Sequence, residues 1–228
     1  MSAEFKAIFW AAATLGVYAA SVRLYRRFPV WWASPLLVTW LLCAVLLVSL
    51  HASYREYLSG THWLVTLLGP ATVAFAIPIH ENRRLIRRHW PLLLVGTAAG
   101  SSIAMGSAWA LARLFELSPV LQASLLPRSV TTPFAVAISR DLGGLPELTA
   151  AFTAVTGIFG AAIGESLLAW LPVRSSFARG AFLGMGAHGA GVAKARELGE
   201  EEGAIAGLIM IFAGLFNVVG VLIFLQWR

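Results

Sequence analysis

Charge is scarce in this sequence. Asp, Glu, Lys and Arg make up 12% of its 228 residues, about half their share in a soluble globular domain, which argues against a fold that exposes its whole surface to water. Cysteine is scarcer still: Cys43 stands alone, so no disulfide can form within the chain. Zinc-protease and serine-hydrolase signatures are missing, as are a phosphate loop and any set of side chains with metal-ligand spacing. These absences argue against an enzyme, and no cofactor or metal is expected. The net charge of +6 would suggest nucleic acid in a soluble protein. Here it is expected of arginine-rich loops facing anionic lipid, with no nucleic-acid partner.

Apolar residues are what the chain has in quantity, 58% of the total. They fall into eight runs, at about 7–22, 33–50, 62–79, 90–115, 120–138, 148–172, 180–193 and 203–227. Several reach the roughly 20 residues needed to cross a bilayer. The expected fold is therefore an all-α polytopic membrane protein, a single domain over 1–228 with seven or eight transmembrane segments embedded in the lipid bilayer. The fifth and seventh runs are short or interrupted and carry the polar residues. The first run is read as a retained helix, because only Lys6 precedes it and Arg23, Arg26 and Arg27 follow it with no small-residue cleavage site. Most of the nine tryptophans stand near segment ends, where amphipathic rings mark the headgroup level.

The basic links after the first run (Arg23, Arg26, Arg27) and after the third (Arg83, Arg84, Arg87, Arg88) lie two crossings apart, so both are expected in the cytoplasm and the N-terminus outside. If 120–138 enters and leaves on one side, the Arg174/Arg179 link and Arg228 also become cytoplasmic and Glu200, Glu201 and Glu202 external; if it crosses fully, the signs are less favourable. A weak echo bears on this choice. Residues 71–77 (ATVAFAI) resemble 132–138 (TPFAVAI), each with prolines nearby. Such degenerate pairs suggest two interrupted or re-entrant helices in an inverted repeat.

The fifth run, LLPRSVTTPFAVAI at 125–138, places Arg128 beside Ser129, Thr131, Thr132 and Pro133. An arginine at membrane depth costs several kcal/mol unless it faces a bundle interior or an aqueous cavity. Pro133 removes a backbone donor, and such breaks persist in a membrane only where protein or water satisfies them. Arginine, hydroxyls and a broken helix together describe a small-anion site. The second constellation is GAFLGMGAHGAGVAKARELGEEEGA at 180–204, with His188 among Gly180, Gly184, Gly186, Gly189 and Gly191. An imidazole in a thin or unwound stretch can donate to a carboxylate or carry a proton, although it can equally serve to join helices. Lys194 ends this run as a coupling or snorkelling residue. Glu165 is a candidate partner for Arg128 or a proton relay. Asn217 is a candidate ligand or interhelical hydrogen bond, and Thr72 a candidate from the echo.

The runs LLGPATVAFAIPIHEN (67–82), LPRSVTTPFAVAISRDLGG (126–144), LTAAFTAVTGIFGAAIG (148–164) and GAHGAGVAKARELGEEEGAIAGL (186–208) together resemble the LrgB/CidB family of bacterial membrane proteins. The resemblance implies the cytoplasmic (inner) membrane of a bacterium and a smaller LrgA/CidA-type membrane partner. It also implies one of two activities: holin/antiholin-like control of murein hydrolase export and autolysis, or transport of small monocarboxylates, as in the plastid glycolate/glycerate translocator. Relatives often carry Gly-Thr after the histidine region; here Gly191-Val192 removes a hydroxyl.

The residues and the resemblance meet in an expected secondary transporter of 2-hydroxy or 2-keto monocarboxylates such as glycolate, glycerate, pyruvate or lactate, coupled to H+ or Na+. Arg128, Ser129, Thr131, Thr132, Pro133, His188, Gly189, Gly191, Thr72 and Asn217 would line the path, with His188, Glu165 and Lys194 as coupling candidates. A carrier should gather its polar residues at one place and a holin-like pore should spread them along a stripe. The glycine-rich faces at 96–106 and 157–164 lead us to expect a homodimer.

Overall fold

The computed structural model describes residues 3–227, and every regular element among them is helical. The expectation for Arg228 lies outside the described residues. The chain divides into two compact units, the first ending at Ala71 and the second beginning at Thr72.

The first unit holds α1 (Ala3–Arg27), α2 (Pro35–Ser49) and α3 (Tyr54–Thr66). Pro35 starts α2, where its missing N–H is no loss, and the Ser53 hydroxyl caps α3 by accepting from the Glu56 amide. Trp10 is buried and meets Tyr57 edge to face at 5.6 Å, and the Thr14 hydroxyl donates to the Tyr57 oxygen at 3.2 Å. Gly60 lets the α3 backbone press against Ala7, leaving no room for a side chain.

α4 (Leu68–Ala74) carries the boundary, and α5 (Ala76–Glu81) follows. This is the 62–82 segment in which the sequence suggests an interruption. Leu67 and Phe75, at its two joints, keep right-handed helical backbone, so the segment bends without unwinding. The reason is that Pro70 and Pro78 each fall in the first turn of a short helix, where a backbone donor has no partner to lose.

In the second unit α6 (Arg83–Leu114), α9 (Pro146–Trp170) and α11 (Glu200–Gln226) are long helices; between them stand α7 (Pro119–Leu125), α8 (Thr132–Asp141) and α10 (Ser176–Leu198). α6 is kinked at His89, two residues before Pro91. Among the described residues five helical stretches are long and apolar enough to cross a membrane: Glu4–Arg27, Tyr54–Glu81, Arg83–Leu114, Pro146–Trp170 and Glu200–Gln226. The protein is a multi-pass membrane protein. α2, at 15 residues, is shorter than a full crossing.

The two remaining apolar runs form helical hairpins. α7 leads into a 3₁₀ turn, Leu126–Ser129; Val130 and Thr131 are extended, and α8 runs back. The return is fixed by a buried polar knot. The Thr149 hydroxyl lies 2.6 Å from Ser139 Oγ and 2.9 Å from the Ser124 carbonyl, and the Leu145 amide donates to Ser124 Oγ at 2.8 Å. Gly144 sits so close to the Ala123–Ser124 backbone that a side chain would collide with it. One proline-and-threonine run thus becomes two arms held together at their base.

α10 turns at His188, whose backbone is left-handed (φ 38°, ψ −119°). Its arms, 176–187 and 189–198, fold onto each other, because Gly191 lies against the Leu183 carbonyl with no space for a methyl group. Contacts with α11 give the same direction of travel: Gly180 meets Glu202 and Ile205, Gly184 meets Ala206, and Gly203 meets Arg196. By Glu202 the chain has returned to the level of Gly180. Leu183, Ala195 and Ala206 close a small core between the arms and α11.

Candidate functional site

The turns of the two hairpins meet beside the middle of α9. The His188 ring stands over Gly157, where a side-chain carbon would lie about 3.5 Å from Cε1 and Nδ1, and the imidazole lies close to the Arg128 backbone. His188 is 5% exposed, and its Nε2 has no hydrogen-bond partner among the described residues. One turn earlier on the same face of α9, the buried Thr153 hydroxyl is likewise unpartnered. A buried polar atom without a partner costs roughly 1–3 kcal/mol. Two such atoms flanking Gly157 mark a place where a polar solute or water would be welcome.

Arg128, Ser129, Thr131, Thr132 and Pro133 occupy the first turn, half-buried. Thr131 caps α8 through its carbonyl, which accepts from the Phe134 and Ala135 amides at 3.0 Å, and not through its hydroxyl. The Arg128 guanidinium has no carboxylate partner among the described residues. Two helix N-termini begin at the junction, that of α8 and that of the second α10 arm, and their dipoles favour a negative charge. A free guanidinium, uncommitted hydroxyls and two positive helix ends can hold a carboxylate, and His188 Nε2 adds either a donor or an acceptor.

The other candidates fall elsewhere. Gly189 is exposed, and Gly191 is taken up by arm packing. Asn217 is buried and donates to Ser101 Oγ at 2.9 Å and to the Ala213 carbonyl at 2.7 Å, joining α11 to α6 and leaving its Oδ1 unpartnered. Glu165 pairs with Lys194 at 2.8 Å instead of with Arg128, and Lys194 also holds Glu197 at 2.9 Å. This pair ties the second arm of α10 to α9. Thr72 lies in α4, half-buried, at the start of the second unit. Beside it Phe75 reaches the first hairpin, its ring 5.8 Å from that of Phe134 and packed with Val130 and Ala135. Among the described residues no three His, Cys, Asp or Glu side chains gather as a metal site.

Sequence reasoning did not single out Thr149 and Thr153, and it placed Gly157 only in a glycine-rich packing face. Their spacing of four was the available signal, since it puts a polar stripe on one face of an otherwise apolar helix. Nor did it find Ser124 and Ser139, whose pairing exists only once the hairpin closes.

The profile of the LrgB-like family matches residues 14–227. The chain is 39% identical to uncharacterized protein YxaC of Bacillus subtilis, over 90% of this chain and 89% of that protein. It is 30% identical to the antiholin-like protein LrgB of Bacillus subtilis, covering 85% and 84% of the two chains, and 27% identical to the holin-like protein CidB of Staphylococcus epidermidis, covering 96% of each. No solved structure matches it. With nearly the whole chain matched in family order, and with the two polar runs at the junction of its hairpins, this protein belongs to the LrgB-like family.

Proposed function

We propose that the chain is a holin/antiholin-like protein of the bacterial cytoplasmic membrane, the reading that the names of its relatives LrgB and CidB support. The regulated event would be passage across the bilayer, with murein hydrolase activity and autolysis downstream and a smaller LrgA/CidA-type protein as partner. On this reading both hairpins would enter and leave the membrane on one side, and α6, α9 and α11 would cross it. No bond-making step is part of the proposal.

A second reading concerns what passes, and one observation favours it: the turn that carries His188 meets the turn that carries Arg128, Ser129 and Thr131, so these polar residues gather where two broken helices come together. Carriers place their sites at such breaks. On this reading Arg128 holds the carboxylate of a small 2-hydroxy or 2-keto acid, Ser129, Thr131 and Thr132 offer donors to its second oxygen, and His188 faces the same space. An anion entering a negative-inside cell is opposed by about 2.3 kcal/mol per 100 mV, so net uptake calls for coupling to H+ or Na+.

Counterflow of labelled glycolate, pyruvate and lactate in proteoliposomes, with and without a pH gradient, tests both readings when paired with release of a larger entrapped dye. Saturable exchange without dye release supports the carrier. Dye release without saturation supports a holin-like pore. Arg128→Ala should nearly abolish exchange and Arg128→Lys should impair it strongly, because lysine lacks the planar fork that grips a carboxylate with two hydrogen bonds. Normal affinity in Arg128→Ala protein would remove the anion site.

A further inference from the structure

The geometry points to a binding site for an anionic phospholipid on the α6/α11 face, independent of what crosses the membrane. A groove of about 410 Å³ runs there, walled by Ile86, Trp90, Leu94 and Thr97 of α6 and by Phe212 and Phe216 of α11. From Ile86 to Thr97 an α-helix rises about 17 Å. That is close to half of the roughly 30 Å hydrocarbon core, the depth of one leaflet. The groove is therefore as long as one acyl chain is deep, and it is apolar over that length.

Its shallow end is basic. α6 opens with Arg83, Arg84, Arg87 and Arg88, all exposed. Arg83 stands three residues before Ile86, on the same face of the helix by register, and Arg87, one turn after Arg83, flanks that face. Arg83 already bends over the last turn of α5, donating to the His80 carbonyl at 3.2 Å, and Trp90 adds a ring at the headgroup level. A phosphate at these two guanidinium groups would place its acyl chain along Ile86, Leu94 and Thr97.

Charge also decides against the rival occupant. A second copy packed about a twofold axis along the membrane normal would set like surfaces against each other. It would bring two sets of four arginines together at the same level. A lipid phosphate neutralises that charge, whereas a second copy doubles it.

Native mass spectrometry of the full chain tests the site, after incubation in mild detergent with phosphatidylglycerol or phosphatidylcholine of the same acyl composition. Phosphatidylglycerol should be retained about tenfold more, since each basic residue at the surface adds to anionic-lipid binding. Arg83→Gln/Arg87→Gln should bring the ratio near one without lowering the melting temperature, and Leu94→Trp should reduce retention of both lipids by filling the groove. Arg23→Gln/Arg26→Gln, in the first unit, should leave the ratio unchanged. Equal retention of the two lipids by the unaltered chain, or a ratio indifferent to the Arg83/Arg87 pair, would overturn the inference. So would displacement of the lipid by glycerophosphate alone, or a dimer that Leu94→Trp disperses while lipid retention stays constant.

Discussion

His188 turns the second hairpin on backbone that favours glycine. A non-glycine residue at φ 38° and ψ −119° costs on the order of 1–3 kcal/mol in backbone strain, and glycines stand close by at 186, 189 and 191. Holding an imidazole there at that cost fits a role for the ring itself. His188→Gly should therefore raise the melting temperature in detergent relative to His188→Ala, by about 1 kcal/mol or more of stability, while both variants lose the pH dependence of exchange. A lower melting temperature for the glycine variant would dismiss the strain. Gly191 is the opposite case. Its Cα lies against the Leu183 carbonyl, so Gly191→Ala must spread the arms of α10 and should cost about 1–3 kcal/mol, seen as a lower thermal midpoint. The sequence marks Arg128 by the expense of its charge and His188 by its glycines. It does not show that the two adjoin, since that contact joins distant hairpins.

At the scale of elements, the break in the 120–138 run was legible. Pro127 and Pro133 forbid a continuous helix through 120–138, and the structure breaks it at Val130 and Thr131. What holds the arms together was not legible, because Ser124, Ser139 and Thr149 read as ordinary polar residues until they meet. Thr149→Val would strip Ser139 and the Ser124 carbonyl of a buried partner and should destabilise the protein by roughly 1–3 kcal/mol, measurable by thermal unfolding in detergent. Thr156, which bonds its own helix at the Phe152 carbonyl, offers a control: Thr156→Val should change the midpoint much less. The 180–193 run reads as short or interrupted, thin or unwound around His188; the structure folds it in two. The Gly180/Gly184 spacing permits close helix approach, and the partner is α11, which the spacing cannot name. The echo between 71–77 and 132–138 joins unlike elements, a bent helix and the return arm of a hairpin.

For the whole molecule, the question is how many times the chain crosses the bilayer. If both hairpins re-enter, Phe115 and Asp141 lie on one side, and Arg174 and Glu200 together on the other, with α9 between them. Single cysteines at these four exposed positions, in a Cys43→Ser background, should be labelled by a membrane-impermeant maleimide in those two groups. Labelling of Phe115→Cys and Asp141→Cys from opposite sides would make the 120–138 run a full crossing. The same grouping puts Arg174 with the Arg83–Arg88 link, as the positive-inside tendency favours.

The sequence by itself determined the solvent this protein lives in, its helical class and its family. Long apolar runs, scarce charge and specific motifs are local quantities, and the bilayer demands that each backbone satisfy itself segment by segment. It also marked 120–138 as a run in which a helix must fail and 180–193 as a thin or unwound one, because proline and clustered glycine act on their own stretch of chain, whereas the interruption expected in 62–82 did not form. Only the tertiary structure decided that these failures are hairpin turns, that they face each other across Gly157, and that Glu165 belongs to Lys194 and not to Arg128. Those outcomes depend on how closely α9 and α11 approach the arms of α10. That approach is set by missing side chains at Gly157, Gly160, Gly184 and Gly191, and an absent side chain does not say what will occupy the space it leaves.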